Sequence, residues 1–274
     1  MDKDGPSVHP SAIVHPGARL GSGVSVGPFS IIGEHVTVGK NTRFDAHAYV
    51  EGCVEVGENC HFSPYSMVGT EPQDLGYKKE ETALLIGDRN IFREFVTLHR
   101  GTGKGGGKTV IGSDNYFMAY AHVAHDCRVG DEAVLGNAAS LAGHVTVGDY
   151  SYIGPFSGIH QFCRVGIYAY IGGYSVCTQD VLPFCRVAGD RPPRLYGTNA
   201  IGLRRRSFSK ERVNEIKGML KILLYSGMNT SRAMAALKEK YPSGADRDEL
   251  LSFIAASKRG FIKKTAEKWE SGSE

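Results

Sequence analysis

Val123-Ala124-His125-Asp126-Cys127-Arg128-Val129-Gly130-Asp131-Glu132-Ala133-Val134-Leu135-Gly136-Asn137-Ala138-Ala139-Ser140-Leu141 carries a bulky apolar residue at every sixth position: Val123, Val129, Leu135 and Leu141. The beat continues toward the C-terminus through Val147, Ile153, Ile159, Val165 and Ile171, and back through Phe117 to Ile111. An earlier run holds the same spacing from Val14 through Leu20, Val26, Ile32, Val38, Phe44, Val50, Val56 and Phe62 to Val68, and a third links Ile86, Phe92 and Leu98. Glycine often follows the beat, as at Gly21, Gly39, Gly57, Gly130 and Gly154. One short strand and a tight turn per six residues, three to a coil, is the hexapeptide signature of a left-handed parallel β-helix. The beat residues fill the interior, and the glycines are expected to supply the backbone angles of the corners.

The rhythm breaks twice, at 69–85 and at 100–110. The first break holds Glu71-Pro72-Gln73-Asp74-Leu75-Gly76-Tyr77-Lys78-Lys79, and the second Gly101-Thr102-Gly103-Lys104-Gly105-Gly106-Gly107-Lys108. Loops leaving one edge of a solenoid are where function collects. After Ile171 the beat fades, and Pro183, Pro192 and Pro193 mark a transition. Residues 1–190 are read as the β-helix and 191–274 as a C-terminal helical domain. There, Ser209 can cap a helix carrying Val213, Ile216, Leu220, Leu223 and Leu224, with further helices over 233–240 and 246–258 separated by Pro242-Ser243-Gly244.

The start, Met1-Asp2-Lys3-Asp4, lacks the basic and apolar pattern of a signal peptide, and no run approaches membrane-spanning length. Six scattered cysteines form no Cys-x-x-Cys pair, and Cys177, one beat after Ile171, is expected to point inward. A reduced, cytoplasmic protein without stable membrane insertion is expected. Net charge is +3, but residues 190–274 hold 18 Lys/Arg against 10 Asp/Glu. Such a tail is either a solvated surface or a site for an acidic partner; nucleic acid is disfavoured because no binding motif accompanies it.

Residues eighteen apart in this repeat share a face, one strand spacing of about 4.8 Å from each other. Val123, Leu141 and Ile159 form such a column, and Leu98 joins it once the insertion at 100–110 is allowed for. His99, His122, His125, His144 and His160, half of the ten histidines, lie within three residues of this column. One histidine on a solenoid surface is ordinary; five beside one column call for chemistry. They could be a general base, metal ligands or an anion site. His122 and His125, followed by Asp126, have the look of a zinc cluster, yet imidazole is also the side chain suited to accept a proton near neutral pH. Gly107-Lys108-Thr109 ends like a nucleotide-binding loop, but Thr102 stands where that motif requires glycine and no strand-to-helix context precedes it, so nucleotide hydrolysis is excluded.

Ala121-His122-Val123-Ala124-His125-Asp126-Cys127, Leu141-Ala142-Gly143-His144-Val145 and His160-Gln161-Phe162-Cys163 resemble the UDP-N-acetylglucosamine acyltransferase family of lipid A biosynthesis. Pro72-Gln73-Asp74-Leu75, Thr97-Leu98-His99-Arg100-Gly101-Thr102 and Gly202-Leu203-Arg204-Arg205-Arg206-Ser207-Phe208-Ser209 extend the likeness over almost the whole chain. The resemblance implies a homotrimer with active sites between subunits, moving a 3-hydroxyacyl chain from acyl carrier protein to the glucosamine 3-hydroxyl of UDP-N-acetylglucosamine. By the same resemblance His125 matches the general base, Asp126 the residue that orients it, and the Gly143 N–H the oxyanion donor. Gln73, Asp74, His99, His122, His144, His160, Gln161 and Asn199 match substrate-binding positions. Arg205 and Arg206 match a basic pair suited to nucleotide phosphates or the acidic carrier, and Gly173 a position whose small size admits a longer acyl chain. No metal or cofactor is implied, since the thioester carries the activation.

One departure stands out: the family usually has Lys after Gln-Asp-Leu, whereas this chain has Gly76, with Lys78 and Lys79 nearby to take over the contact or leave it lost. A 3-amino sugar acceptor, giving an amide, remains an alternative. So does a zinc carbonic anhydrase on the same prism. The pathway's later N-acyltransferase is disfavoured because repeats begin within about a dozen residues of Met1, and a non-catalytic scaffold is disfavoured by the histidines.

Overall fold

The computed structural model of the chain describes residues 5–263. Short strands join three faces in rotation: Ser7–Val8 pairs in parallel with Ser25–Val26, Ile13–Val14 with Ile31–Ile32, and Arg19–Leu20 with Val36–Val38. The faces, here called first, second and third, count eleven, nine and eight strands among the described residues. The result is the left-handed parallel β-helix that the six-residue rhythm predicts. Successive residues of a strand point to opposite sides, so from Ser25–Val26 onward the two-residue strands bury their beat and leave the other side chain partly or fully outside. Every beat residue from Val26 to Ile171 is buried, and Cys177 is fully buried at the next step. Phe44, Phe62, Phe92 and Phe117 stack down the axis with centroids 4.7–4.8 Å apart. That spacing is the strand separation itself, and each fully buried ring contributes roughly 1.5–3 kcal/mol.

The glycines do a different job from the one expected. Of those that follow the beat, Gly69 has a left-handed φ (76°), but Gly21, Gly39, Gly57, Gly130 and Gly154 do not. The left-handed corners are taken by residues with side chains, among them Asn41, Asn59, Asp114, Asp126, His144 and Phe162. The beat glycines instead let coils approach. A Cβ on Gly39 would lie 2.6 Å from the Gly57 carbonyl carbon, and one on Gly154 2.6 Å from that of Gly172.

Strand pairing also trims the two excursions. Met67–Thr70, Ala83–Ile86 and Lys108–Ile111 extend the second and third faces, leaving 71–82 and 100–107 outside the strands. Beyond Cys177, Cys185–Ala188 and Arg194–Thr198 form an antiparallel pair that the fading rhythm gave no sign of. Four helices follow among the described residues: Ala200–Arg205, Lys210–Tyr225, Thr230–Lys240 and Ala245–Ala255. Ser209 caps the second as expected, accepting from the Arg212 N–H at 3.2 Å. Asn229 caps the third a turn earlier than periodicity suggested. The fourth stops short of 258 because Ser257 Oγ turns back to donate to Asp180 Oδ2 (2.7 Å) and Phe261 bridges to Asp180. Arg164 completes the junction, donating to the Phe253 carbonyl at 3.0 Å with its guanidinium 4.1 Å from the Phe253 ring. The helices thus close the C-terminal end of the prism. Residues 1–4 and 264–274, which belong to the expected domains, lie outside the described residues.

Candidate active site

The column inferred from spacing is real: Leu98 pairs with Val123, Val123 with Leu141 and Leu141 with Ile159 along the second face. His122 begins its strand and His99 ends its own. The chain then turns the edge between the second and third faces, so His125, Asp126, Gly143, His144, His160 and Gln161 all lie on that edge. Asp126 and His144 occupy its left-handed corner position, with φ of 61° and 62°.

At the centre His125 Nδ1–H donates to Asp126 Oδ2 at 2.7 Å. A carboxylate accepts only, so in the neutral ring this bond fixes the tautomer that has its lone pair on Nε2. Asp126 is held from behind by Thr102, whose N–H donates to Oδ1 (2.8 Å) and whose hydroxyl donates to Oδ2 (2.7 Å). Thr102 is itself fully buried, and its Oγ1 accepts from the Gly105 N–H at 3.2 Å. Gly105 lies so close that any side chain there would run into the Asp126 carboxylate. Thr109 Oγ1 accepts from the Asp126 N–H at 2.8 Å. The glycine-rich insertion therefore serves as the clamp on the aspartate.

Gly143 faces the ring. A Cβ there would lie 2.6 Å from His125 Cε1 and 2.9 Å from Nε2. The His144 ring stacks on Phe162 at 4.4 Å and meets His125 edge-on at 5.3 Å. His99 Nδ1–H donates to the Glu71 carbonyl at 2.6 Å, tying the first excursion to the row. His122 Nδ1 hydrogen-bonds Thr97 Oγ1 at 2.7 Å, and His160 Nδ1 lies 3.2 Å from the Gln161 carbonyl.

Burial lowers the basicity of three of these rings. His122 is pushed down to about 4 by desolvation, helped by the neighbouring charges of His99 and His125. His99 and His144 are lowered as well, chiefly by burial. These three are neutral at pH 7, suited to hydrogen-bonding a polar substrate rather than attracting an anion.

The other expected site residues are dispersed. Gln73 is exposed in the first excursion. Asp74 pairs with Lys104 Nζ (2.8 Å) and accepts from the Gly76 N–H (2.8 Å), contacts that lower its pKa. Gly173 lies on the edge between the first and second faces, where a Cβ would meet the Pro155 carbonyl at 3.1 Å. Asn199 caps the first helix by accepting from the Gly202 N–H (3.1 Å), and its Nδ2 donates to the Tyr168 carbonyl (2.9 Å). Arg206 pairs with Glu132 and lies over the Tyr150 ring at 4.8 Å, on the edge between the third and first faces, beside exposed Arg205. Sequence reasoning missed Thr102, Lys104 and Gly105. The insertion that holds them has no rhythm, and their partners are far off in the chain.

His125, Asp126 and His144 offer metal-type ligand atoms within 4.8 Å of one another. The Asp126 oxygens, however, already accept three hydrogen bonds. The donor set is arranged to orient an imidazole.

A family model described as UDP N-acetylglucosamine O-acyltransferase, domain 2, matches residues 180–262, and one for bacterial transferase hexapeptides matches 35–70 and 108–143. The acyl-[acyl-carrier-protein]–UDP-N-acetylglucosamine O-acyltransferase of Thermodesulfovibrio yellowstonii is 44% identical over 256 residues, which is 93% of this chain and 99% of that protein. Its Stenotrophomonas maltophilia K279a counterpart is 44% identical over 96% of this chain and 100% of its own length. Among solved structures, the UDP-N-acetylglucosamine acyltransferase of Bacteroides fragilis is similar at TM-score 0.90 and 37% identity, covering 93% of this chain and 99% of that one. The Francisella novicida enzyme is similar at 0.91 and 33%, covering 97% and 99%.

Proposed function

The chain belongs to the acyl-[acyl-carrier-protein]–UDP-N-acetylglucosamine O-acyltransferase family, and from that premise we propose that it moves a 3-hydroxyacyl chain to the sugar 3-hydroxyl with His125 as general base. The observation that carries this is the His125–Asp126 hydrogen bond, which orients the ring with Nε2 turned toward Gly143. Nε2 takes the hydroxyl proton as the sugar oxygen attacks the thioester carbonyl. Asp126 stabilises the imidazolium that forms, and the Gly143 N–H donates to the developing oxyanion. When the C–S bond breaks, the carrier thiolate leaves and takes the proton back from His125. A positioned base contributes about 10²–10⁴-fold. No cofactor is needed for this chemistry, and the reaction is the first step of lipid A biosynthesis.

The neutral rings of His99, His122 and His144 fit hydrogen bonds to sugar hydroxyls, with His160 and Gln161 on the same edge and Gln73 and Asp74 brought by the first excursion. Gly173, Asn199, Arg205 and Arg206 belong to the same substrate path by a different route. The histidine row, Gly173 and Arg206 lie along three different edges of one prism, and edges of a triangular prism point apart. One chain cannot wrap them around one substrate, so the reading includes a homotrimer with sites between subunits. The exposed aromatic ladder of Phe29, Tyr65, Phe95, Tyr120, Phe156 and Tyr174 along the first–second edge supports such an assembly. No described helix is long and apolar enough to cross a membrane, and the six cysteines are free, which supports a cytoplasmic location.

The test is acyl transfer from a panel of 3-hydroxyacyl carrier proteins to UDP-N-acetylglucosamine and its 3-amino analogue. Wild type should esterify the hydroxyl sugar, and His125→Ala should lose at least about a hundredfold in kcat with unchanged melting. Turnover of the amino sugar alone would change the product to an amide, and full activity in His125→Ala would remove it as the base.

A further inference from the structure

We propose that Lys104, in the space beside Gly76, is the cation with which this chain binds a substrate phosphate. The inference rests on the acyltransfer reading, whose two substrates each bring a phosphate: the nucleotide diphosphate, and the phosphodiester of the carrier's thiol-bearing arm.

Lys104 comes from the second excursion and reaches the first. Its Nζ is 2.8 Å from Asp74 Oδ2, and its side chain is 60% exposed. Asp74 takes one of three N–H donors, which leaves the outer side of the ammonium for an anion. Gly76 is what admits it. A Cβ at Gly76 would lie 2.9 Å from Lys104 Nζ and 3.2 Å from Asp74 Oδ1, and no left-handed φ requires a glycine there. The missing side chain therefore clears space for the ammonium. The contact that Lys78 or Lys79 was expected to take over thus has a candidate on the other loop.

Position points the same way. Lys104 stands between Thr102 and Gly105, the residues that clamp Asp126, and its charge is felt at His144. The nearby alternative is engaged elsewhere: Arg100 is 13% exposed, with Nη1 donating to the Gly69 carbonyl at 2.7 Å and Nη2 to Tyr77 Oη at 3.3 Å. Glu80, the other acid near Lys104, accepts from the Gly103 N–H (3.0 Å) and the Lys78 N–H (2.7 Å). An ion pair whose cation is as open to solvent as Lys104 adds little to stability, so a purely structural role predicts almost no effect of its loss on turnover.

The experiment compares wild type, Lys104→Gln, Lys104→Arg and the double variant Lys104→Gln/Gly76→Lys. KM and kcat are measured for the UDP-sugar and for the acyl carrier separately. A charge-assisted hydrogen bond is worth enough for about a tenfold or greater rise in one KM, with kcat within about threefold and unchanged melting. A rise for the UDP-sugar identifies the diphosphate; a rise for the carrier identifies its arm. Lys104→Arg should stay near wild type, and Gly76→Lys should recover most of the loss in the Lys104→Gln background by returning the charge from the other side. Both KM values within twofold of wild type, a fall in kcat alone, or no recovery in the double variant would overturn the proposal. Calorimetric Kd values for UDP and for pantetheine 4′-phosphate on the same proteins test Lys104 without chemistry, so a wild type with no turnover would count against the acyltransfer reading alone.

Discussion

Replacing Gly143 with alanine adds one carbon next to the His125 ring. That carbon would stand 2.6 Å from Cε1, 2.9 Å from Nε2 and 3.3 Å from Nδ1. Carbon atoms in contact prefer about 3.5–4.0 Å, so the imidazole must retreat by roughly 1 Å. It cannot do so while keeping its 2.7 Å bond to Asp126, because Thr102 and Gly105 block the aspartate from following. The Gly143 backbone itself accepts alanine, since its φ is not left-handed. The prism should therefore remain intact while the base loses its aim. A displacement of this size costs about a hundredfold in rate, or about 2.7 kcal/mol of barrier. Steady-state kinetics on purified Gly143→Ala should show the loss in kcat, with circular dichroism and melting matching wild type. A kcat within threefold of wild type would refute the packing argument, and a large fall in melting temperature would show that Gly143 serves the fold instead.

Thr102→Val removes the hydroxyl that donates to Asp126 but keeps the backbone N–H bond; kcat should fall about tenfold and Thr102→Ser should restore it, whereas equal activity in all three would show that the hydroxyl does not position the pair. Gly173→Met pushes a side chain past the Pro155 carbonyl, 3.1 Å from the Cβ position. Acyl preference should move to shorter chains, and an unchanged chain-length profile would end the assignment. The lowered basicity of His122 also has a consequence for stability. The unfolded chain protonates this ring at about 6.5 and the folded chain at about 4, so between those values the unfolded state binds more protons. Stability should fall as pH drops through that window, by at most about 3 kcal/mol from this residue. His122→Gln should flatten the corresponding part of the melting-temperature profile between pH 7 and 4.5, and an identical slope would show that the ring is not held neutral.

How much of this was legible in the chain depends on whether a feature is encoded by period. The interior of the prism was, because one buried residue in six is a local pattern that needs no knowledge of distant contacts. The gathering of His99, His122, His125, His144 and His160 followed too, since eighteen residues per coil turns sequence spacing into position along an axis. The cap at Ser209 was equally local. The glycines were misread because a small residue after the beat satisfies two physical needs, a left-handed turn or a close backbone approach. Only the neighbouring coil, as at Gly39 against Gly57, tells which applies.

The sequence by itself determined the solenoid, its register and the face beside which the histidines gather, all consequences of a repeat that fills one continuous core. Tertiary structure alone decided what holds them to their task. Thr102 reaches Asp126 across 24 positions, and Lys104 meets Asp74 from a different insertion. Neither insertion has a period from which such contacts can be counted. Where a loop of glycines comes to rest depends on the side chains waiting on the coil beneath it, and that information exists only once the chain has folded.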